Sequence, residues 1–234
     1  MRVTRKILAD RKGLAAAVVA VVALGATAGV TLGGFSATIN NPTNTFSSGT
    51  IQLEEGVAST TCYSTGSGSG GSVTANNEGT CSGDDLGAAL DQVPAGTPVS
   101  TTVTLTNVGN VGTTGASLVT GACTASAASD DNGYVGADLT GNAFCGEVDV
   151  TIANTTSGAT DACVFPTQTA ACPSLSNSDT LADLASQTFS TTPMSALASG
   201  ASATYVITVE LDPGATNADQ GLTATIPLTW SITQ

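Results

Sequence analysis

The chain of 234 residues has 18 acidic side chains, five basic ones and no histidine, for a formal net charge of −13. All five basic side chains lie within residues 1–12, so the rest of the chain has no positive side chain with which to bind nucleic acid or anionic lipid. Without histidine it cannot build a Ser-His-Asp triad or a His-Glu-x-x-His zinc site, and no pair of acids is set apart as an acid–base couple. We therefore predict a protein that is not an enzyme and that does not bind nucleic acid.

Residues 1–33 are predicted to be a signal peptide. A basic head is followed by an unbroken run of leucine, alanine and valine over residues 14–24 and then by small residues. These are the three parts of a secretory signal, expected here as a helix that gives the chain its one contact with the membrane. The apolar run of 11 residues is shorter than the roughly 20 that cross a bilayer. Signal peptidase is the expected partner, and two cleavage positions compete: Gly33–Gly34 and Ala28–Gly29.

A short strand is predicted directly after the signal. Phe35, Ala37 and Ile39 alternate with polar residues, and an asparagine-rich linker follows over residues 40–44. An apolar strand on a loose tether can pair with its own sheet, or with the open sheet edge of a neighbouring subunit as a donor strand.

Alternation of apolar with polar residues continues through the chain and predicts strands with one buried face. It is clearest in four segments: 99–105, 148–152, 203–211 and 222–232. Turn sequences rich in glycine, proline and asparagine separate them, which is typical of an antiparallel β-sandwich. We predict one all-β domain over residues 34–234, with loop insertions at about 56–92 and 121–200. Pro227 cannot donate to a strand ladder, so the last segment is expected at a sheet edge or with a bulge.

Six cysteines follow the predicted signal. An even number in an exported chain predicts three disulfides, each stabilising the fold by about 2–4 kcal/mol. Sequence does not fix the connectivity, and we favour near neighbours because each such pair brackets a loop of small polar residues: Cys62–Cys81, Cys123–Cys145 and Cys163–Cys172. A zinc site would need closely spaced cysteines or histidine, and the chain has neither.

Acidic residues offer hard oxygen ligands, which suit calcium. The densest group is Asp130, Asp131 and Asp138, with Asp84 and Asp85 next. Neither group has the spacing of an EF-hand loop. We therefore predict solvated acidic turns and no cofactor, with calcium at the first group as the alternative.

Three segments, taken in order, resemble a known family. They are Gly33–Ala37 with Asn44–Leu53, then Val93–Gly96 with Val103–Gly109, and finally Asp219–Leu222 with Trp230–Gln234. Their sequences, such as the Phe-Ser-Ser-Gly-Thr-Ile-Gln-Leu run, are similar to those of the TasA/camelysin family. The cysteine-rich stretches between them have no counterpart in the family pattern.

The resemblance implies a jelly-roll β-sandwich that is exported through a dedicated signal peptidase, with the cut near Gly33–Gly34. It also implies an extracellular fibre of a biofilm matrix, a homopolymer in which the strand Phe35–Ile39 of each subunit completes the next. The metallopeptidase activity described for camelysins is not expected here because the chain has no histidine. The alternative function is a monomeric β-sandwich binding protein of the cell surface or envelope, retained by an uncleaved signal segment.

Overall fold

A computed structural model describes residues 48–65, 71–73, 77–87, 95–128, 134–156, 162–190, 194 and 196–234. The predicted signal peptide, both cleavage positions and the predicted strand Phe35–Ile39 lie outside the described residues, as do Asp130 and Asp131. Within the described parts of the chain, no helix has the length and apolar character needed to cross a bilayer. The described residues from Gly49 to Gln234 belong to one compact unit.

Strands make up most of the regular structure. In chain order they are β1 Leu53–Val57, β2 Thr60–Tyr63, β3 Gly71–Val73, β4 Gly79–Cys81, β5 Val99–Asn107, β6 Gly115–Thr120, β7 Thr124–Ala127, β8 Val148–Asn154, β9 Cys163–Phe165, β10 Thr188–Ser190, β11 Ser202–Leu211, β12 Leu222–Thr225 and β13 Leu228–Thr233. A 3₁₀ segment, Ala137–Gly146, precedes β8, and the short helix α1, Leu181–Leu184, precedes β10. Strands β5, β8 and β11 lie where the alternating pattern predicted them.

The larger sheet has six strands in the order β2-β1-β5-β11-β8-β9, all antiparallel. Its central strand β11 pairs Tyr205 with Val103 of β5 on one side and with Asn154 of β8 on the other. Side chains alternate between the faces of a strand, and the inward-facing residues of β11 from Ala203 to Val209 are at most 2% exposed. The prediction of an all-β, antiparallel protein is therefore confirmed.

The second layer contains the strands β10-β6-β13 and the pair β12-β7. The segment 222–232, predicted as one strand, is divided into β12 and β13 beside Pro227. Proline has no N–H to donate across the sheet to Gly121, and the carbonyl of Gly121 accepts from Ser186 N instead (3.0 Å). Glycine is required opposite the proline, because a Cβ atom at Gly121 would lie 2.9 Å from Pro227 Cγ.

The two layers face each other across one apolar core. The ring of Tyr205 on β11 lies 4.9 Å from that of Trp230 on β13, and the ring of Phe165 on β9 lies 6.2 Å from that of Phe189 on β10. Fully buried aliphatic side chains fill the space between: Val103, Leu105, Leu118, Val150, Ile152, Leu181, Leu184, Met194 and Ile207. The two aromatic contacts place β13 over β11 and β10 over β9.

All six cysteines form disulfides, in the near-neighbour pairing that the sequence favoured. Cys62–Cys81 joins β2 to β4, Cys123–Cys145 joins the start of β7 to the 3₁₀ segment, and Cys163–Cys172 joins β9 to the loop that follows it. Three disulfides and no free thiol indicate an oxidising environment, outside the cell or in its envelope.

The segments expected as loop insertions contain more strand than predicted. Within 56–92, β2 extends the larger sheet and β3 pairs with β4 in a hairpin. Within 121–200 lie β7, β9, β10 and α1, besides the predicted β8. The alternating pattern misses these strands because most are only three or four residues long and several are rich in serine, threonine or glycine.

Candidate functional site

The first candidate site is the outer side of β13. This strand pairs with β6 on one side, and no described strand pairs with the other side. Thr114 N donates to Thr233 O (2.7 Å), which identifies the backbone groups that face β6. Backbone groups alternate in direction along an antiparallel strand, so those of Leu228, Trp230 and Ile232 point away from β6. We call these three residues the open edge.

The side chains of the open edge point into the core. Trp230 is 8% exposed, while Leu228 and Ile232 are half-buried and pack against the core cluster. The intervening Thr229 and Thr233 are exposed. A further strand placed here would gain backbone hydrogen bonds and would bury apolar side chains on its inner face. An open sheet edge with these properties is a template for strand addition.

Two partly buried acids lie beside the open edge. Glu55 on β1 pairs with Leu105 of β5, and therefore its side chain shares the inner face of the larger sheet. It forms a hydrogen bond with Asp85, whose Oδ2 accepts from Trp230 Nε1 (3.0 Å). We call Glu55 and Asp85 the carboxyl pair.

A proton resolves the repulsion within the carboxyl pair. Burial, followed by repulsion from Asp85 and the hydrogen bond to it, raises the pKa of Glu55 to about 8. Burial also raises the pKa of Asp85, while its hydrogen bonds with Trp230 and Glu55 act in the opposite direction. The larger shift is that of Glu55, so a proton on Glu55 can donate to Asp85, which also accepts from Trp230 Nε1.

The second candidate site is a cluster of three acids on a different part of the molecule. Asp138, Glu147 and Asp219 each offer a carboxylate oxygen, and these oxygens all lie within 4.8 Å of one another. We call this cluster the acidic centre. Its residues come from the 3₁₀ segment, from the residue just before β8 and from the turn before β12.

Backbone contacts bring the three acids together. Asp138 N donates to Ala218 O (3.1 Å) and Gly136 N to Gln220 O (2.9 Å), so the two segments run side by side. The approach is so close that a Cβ atom at Gly136 would overlap the carbonyl oxygen of Ala218. Asp212 N donates to the carbonyl of Glu147 (2.8 Å), which fixes the start of β8.

Asp219 is the most buried member of the acidic centre, at 6% exposure. Its Oδ2 accepts from Thr216 N (2.7 Å), but its buried Oδ1 has no hydrogen-bond partner among the described residues. The carboxyl group of Asp138 lies within hydrogen-bonding reach of that of Asp219, and this contact raises the pKa of Asp138. Two ionised carboxylates are both acceptors, so neither can satisfy the other.

More negative charge surrounds the acidic centre. Burial, followed by repulsion from Asp219, Asp212 and Asp138, raises the pKa of Glu147. Asp149, two residues farther along the chain, is 2% exposed, and burial together with the repulsion of nearby acids raises its pKa to about 6. No basic side chain exists beyond residue 12 to balance these groups.

The sequence identified only part of these sites. Of the predicted calcium ligands, Asp138 is placed in the acidic centre, and the other two lie outside the described residues. Of the second predicted group, Asp84 Oδ1 accepts from Leu86 N (3.1 Å) within its own turn, and Asp85 belongs to the carboxyl pair. Glu147 and Asp219 were not predicted, because no local spacing links residues so far apart in the chain.

Comparison of the sequence with protein-family models and with curated proteins finds no match.

Proposed function

We propose that this protein is a secreted structural subunit of an extracellular fibre or biofilm matrix, and that the strand Phe35–Ile39 of one subunit adds to the open edge of the next. The observation that carries the proposal is the open edge itself. It combines backbone groups that pair with no described strand with half-buried apolar side chains, so a strand with one apolar face would complete both the ladder and the core.

Strand order supports a jelly roll as the underlying fold. A jelly roll pairs its second strand with the seventh, the third with the sixth, the fourth with the fifth and the first with the eighth. If β6–β7 and β12–β13 each count as one strand, the pairs β5–β11, β6–β10 and β8–β9 take the first three of these roles. β13 then takes the eighth place, and the place of a first strand is beside the open edge. The predicted strand Phe35–Ile39 precedes β5 in the chain, as a first strand must.

The side chains of the two strands match. As a strand, Phe35, Ala37 and Ile39 would share one apolar face, and the open edge presents Leu228, Trp230 and Ile232 on its inner side. Electrostatic attraction does not favour association. Of the 18 acidic residues only Asp10 lies within the predicted signal, so 17 acidic residues and no basic residue follow it. Because all subunits carry negative charge and repel one another, they must be held together by backbone pairing and apolar burial, and strand addition provides both.

Two variants with complementary defects test the proposal. Deletion of residues 34–40 removes the donor strand, and Ile232→Pro removes an N–H that faces away from β6, so it blocks the open edge without breaking the ladder to β6. We expect the wild-type secreted protein to form filaments in electron micrographs and each variant alone to stay monomeric. An equimolar mixture of the two variants should give one-to-one heterodimers by light scattering, because one supplies a donor strand and the other an intact edge.

Ile232→Val is the matched control, since it keeps both the N–H and an apolar side chain, and it should assemble as the wild type does. Filaments formed by either defective variant alone would place the interface elsewhere and contradict the proposal. A wild-type protein that stays monomeric at every concentration would favour the monomeric surface protein instead.

A further inference from the structure

The acidic centre has the geometry of a cation site. Asp138 and Glu147 lie at the two ends of the 3₁₀ segment, Asp219 lies in the turn before β12, and the contact of Asp138 N with Ala218 O holds these two parts of the chain together. The carboxylate oxygens thus converge by the fold itself and not through one flexible loop. We propose that Asp138, Glu147 and Asp219 bind one calcium ion.

The free oxygen of Asp219 is independent evidence for a ligand. Asp219 is 6% exposed, and its Oδ1 is buried without a donor among the described residues, while Oδ2 is occupied by Thr216 N. A buried carboxylate oxygen that lacks a partner destabilises the folded protein. Neighbouring side chains cannot supply a positive charge, because the sequence has no lysine, arginine or histidine after residue 12. A bound cation would satisfy this oxygen.

The type of ligand favours a hard cation such as calcium. All three ligands are carboxylates, which excludes a preference for zinc, since zinc favours nitrogen and sulfur. Magnesium keeps several waters and is seldom held by protein ligands alone, whereas calcium accepts six to eight oxygens in a flexible geometry. The oxygens of the acidic centre all lie within 4.8 Å of one another, close enough to share one ion. Three carboxylates supply three to six of its six to eight ligands, and water supplies the others.

Binding by calcium competes with a simpler solution, a proton on Asp138 that is donated to the carboxylate of Asp219. The two are distinguished by the effect of Asp219→Asn on the chelator-treated protein and on the calcium-loaded protein. Asparagine has nearly the same shape, can still accept from Thr216 N and removes one negative charge from the cluster. In EDTA this variant should melt at or above the temperature of the wild type, which shows that it folds.

The experiment is a calorimetric titration of the full-length gene product, disulfides intact, with calcium chloride and separately with magnesium chloride. We expect one calcium ion per chain, with a dissociation constant on the order of 10⁻⁴ to 10⁻³ M as in other extracellular sites, and weaker binding of magnesium. Asp219→Asn and Glu147→Gln should each weaken calcium binding about tenfold or more. Each should also lose the rise in melting temperature that calcium gives the wild type.

Glu78→Gln is the matched control, because it removes one charge from an exposed position on a different part of the chain. It should bind calcium as the wild type does. The proposal is overturned if the wild type shows no saturable binding up to about 10 mM calcium. It is also overturned if all three variants lose the same small part of the signal, since this would mean diffuse screening of an acidic surface.

Discussion

The carboxyl pair and the acidic centre both contain acids that repel one another, but they differ in how their oxygens are satisfied. Both bring acids together inside a chain that has no basic side chain beyond residue 12. At the carboxyl pair, Trp230 Nε1 donates to Asp85, and a proton on Glu55 supplies a second donor. At the acidic centre, Thr216 N satisfies only one oxygen of Asp219, and no described residue donates to the other.

The difference lies in the number of donors, not in the number of acids. A pair of acids beside one fixed donor needs one proton, which leaves a single negative charge with two donors. Three acids with too few donors among the described residues keep an unsatisfied oxygen, which a divalent cation can satisfy. Two clusters of the same residue types thus serve stability at the carboxyl pair and binding at the acidic centre.

The largest loss of stability is expected at Gly136, where the two backbones that carry Asp138 and Asp219 lie in close contact. In Gly136→Ala the new Cβ atom would overlap the carbonyl oxygen of Ala218, so the segment that carries Asp138 must move away from Asp219. We expect a loss of about 3 kcal/mol in the free energy of unfolding, the upper part of the usual range for overpacking. Denaturant melts in EDTA measure it, and calcium affinity should fall as well.

Gly146→Ala provides the control for that prediction. It lies at the end of the same 3₁₀ segment, and a Cβ atom there would have no neighbour within 4 Å. Its stability and calcium affinity should stay close to those of the wild type. If the two alanine variants behaved alike, close packing at Gly136 would not be what positions Asp138.

A smaller effect, which depends on pH, is expected at the carboxyl pair. Because the pKa of Glu55 is raised from 4.5 to about 8 in the folded protein, the folded state binds one more proton than the unfolded state between these values. The free energy of unfolding should therefore be highest below pH 4.5 for this group and fall as the pH rises to about 8. The whole pKa shift corresponds to about 5 kcal/mol, and solvent screening of this partly exposed pair reduces the expected fall to the order of 2 kcal/mol. Glu55→Gln, which can still donate to Asp85, should abolish this part of the pH dependence.

Glu54→Gln is the comparison for Glu55→Gln, since residue 54 lies on the same strand with its side chain on the opposite face. It should retain the decline in stability with rising pH. A Glu55→Gln variant whose urea melts at pH 5 and pH 8 differ as much as those of the wild type would contradict the assignment of the proton to Glu55.

Much of this fold follows from the sequence, and particular residues show where the inference stops. β5 and β11 can be predicted because most of their inward side chains, such as Val103 and Ile207, are apolar. The inward position of Glu55 could also have been predicted. It alternates with Leu53 and Val57, and these two apolar residues mark the inner face of β1. The acidic centre was out of reach, because Asp138 meets Asp219 only through the register of two segments that are distant in the chain.

The smallest effect is expected from removing the fixed donor of the carboxyl pair. Trp230→Phe keeps a ring beside Tyr205 but loses the N–H that donates to Asp85. One hydrogen bond to a charged acceptor contributes about 1.5 kcal/mol, and the loss should be greatest at high pH, where Asp85 and Glu55 are both ionised. In Asp85→Asn the same tryptophan change should cost less, because the acceptor then carries no charge. A double-mutant cycle measures this difference. An equal cost in both backgrounds would mean that Trp230 stabilises the protein through its ring alone. The proton on Glu55 would then be the only donor that the carboxyl pair has and the acidic centre lacks.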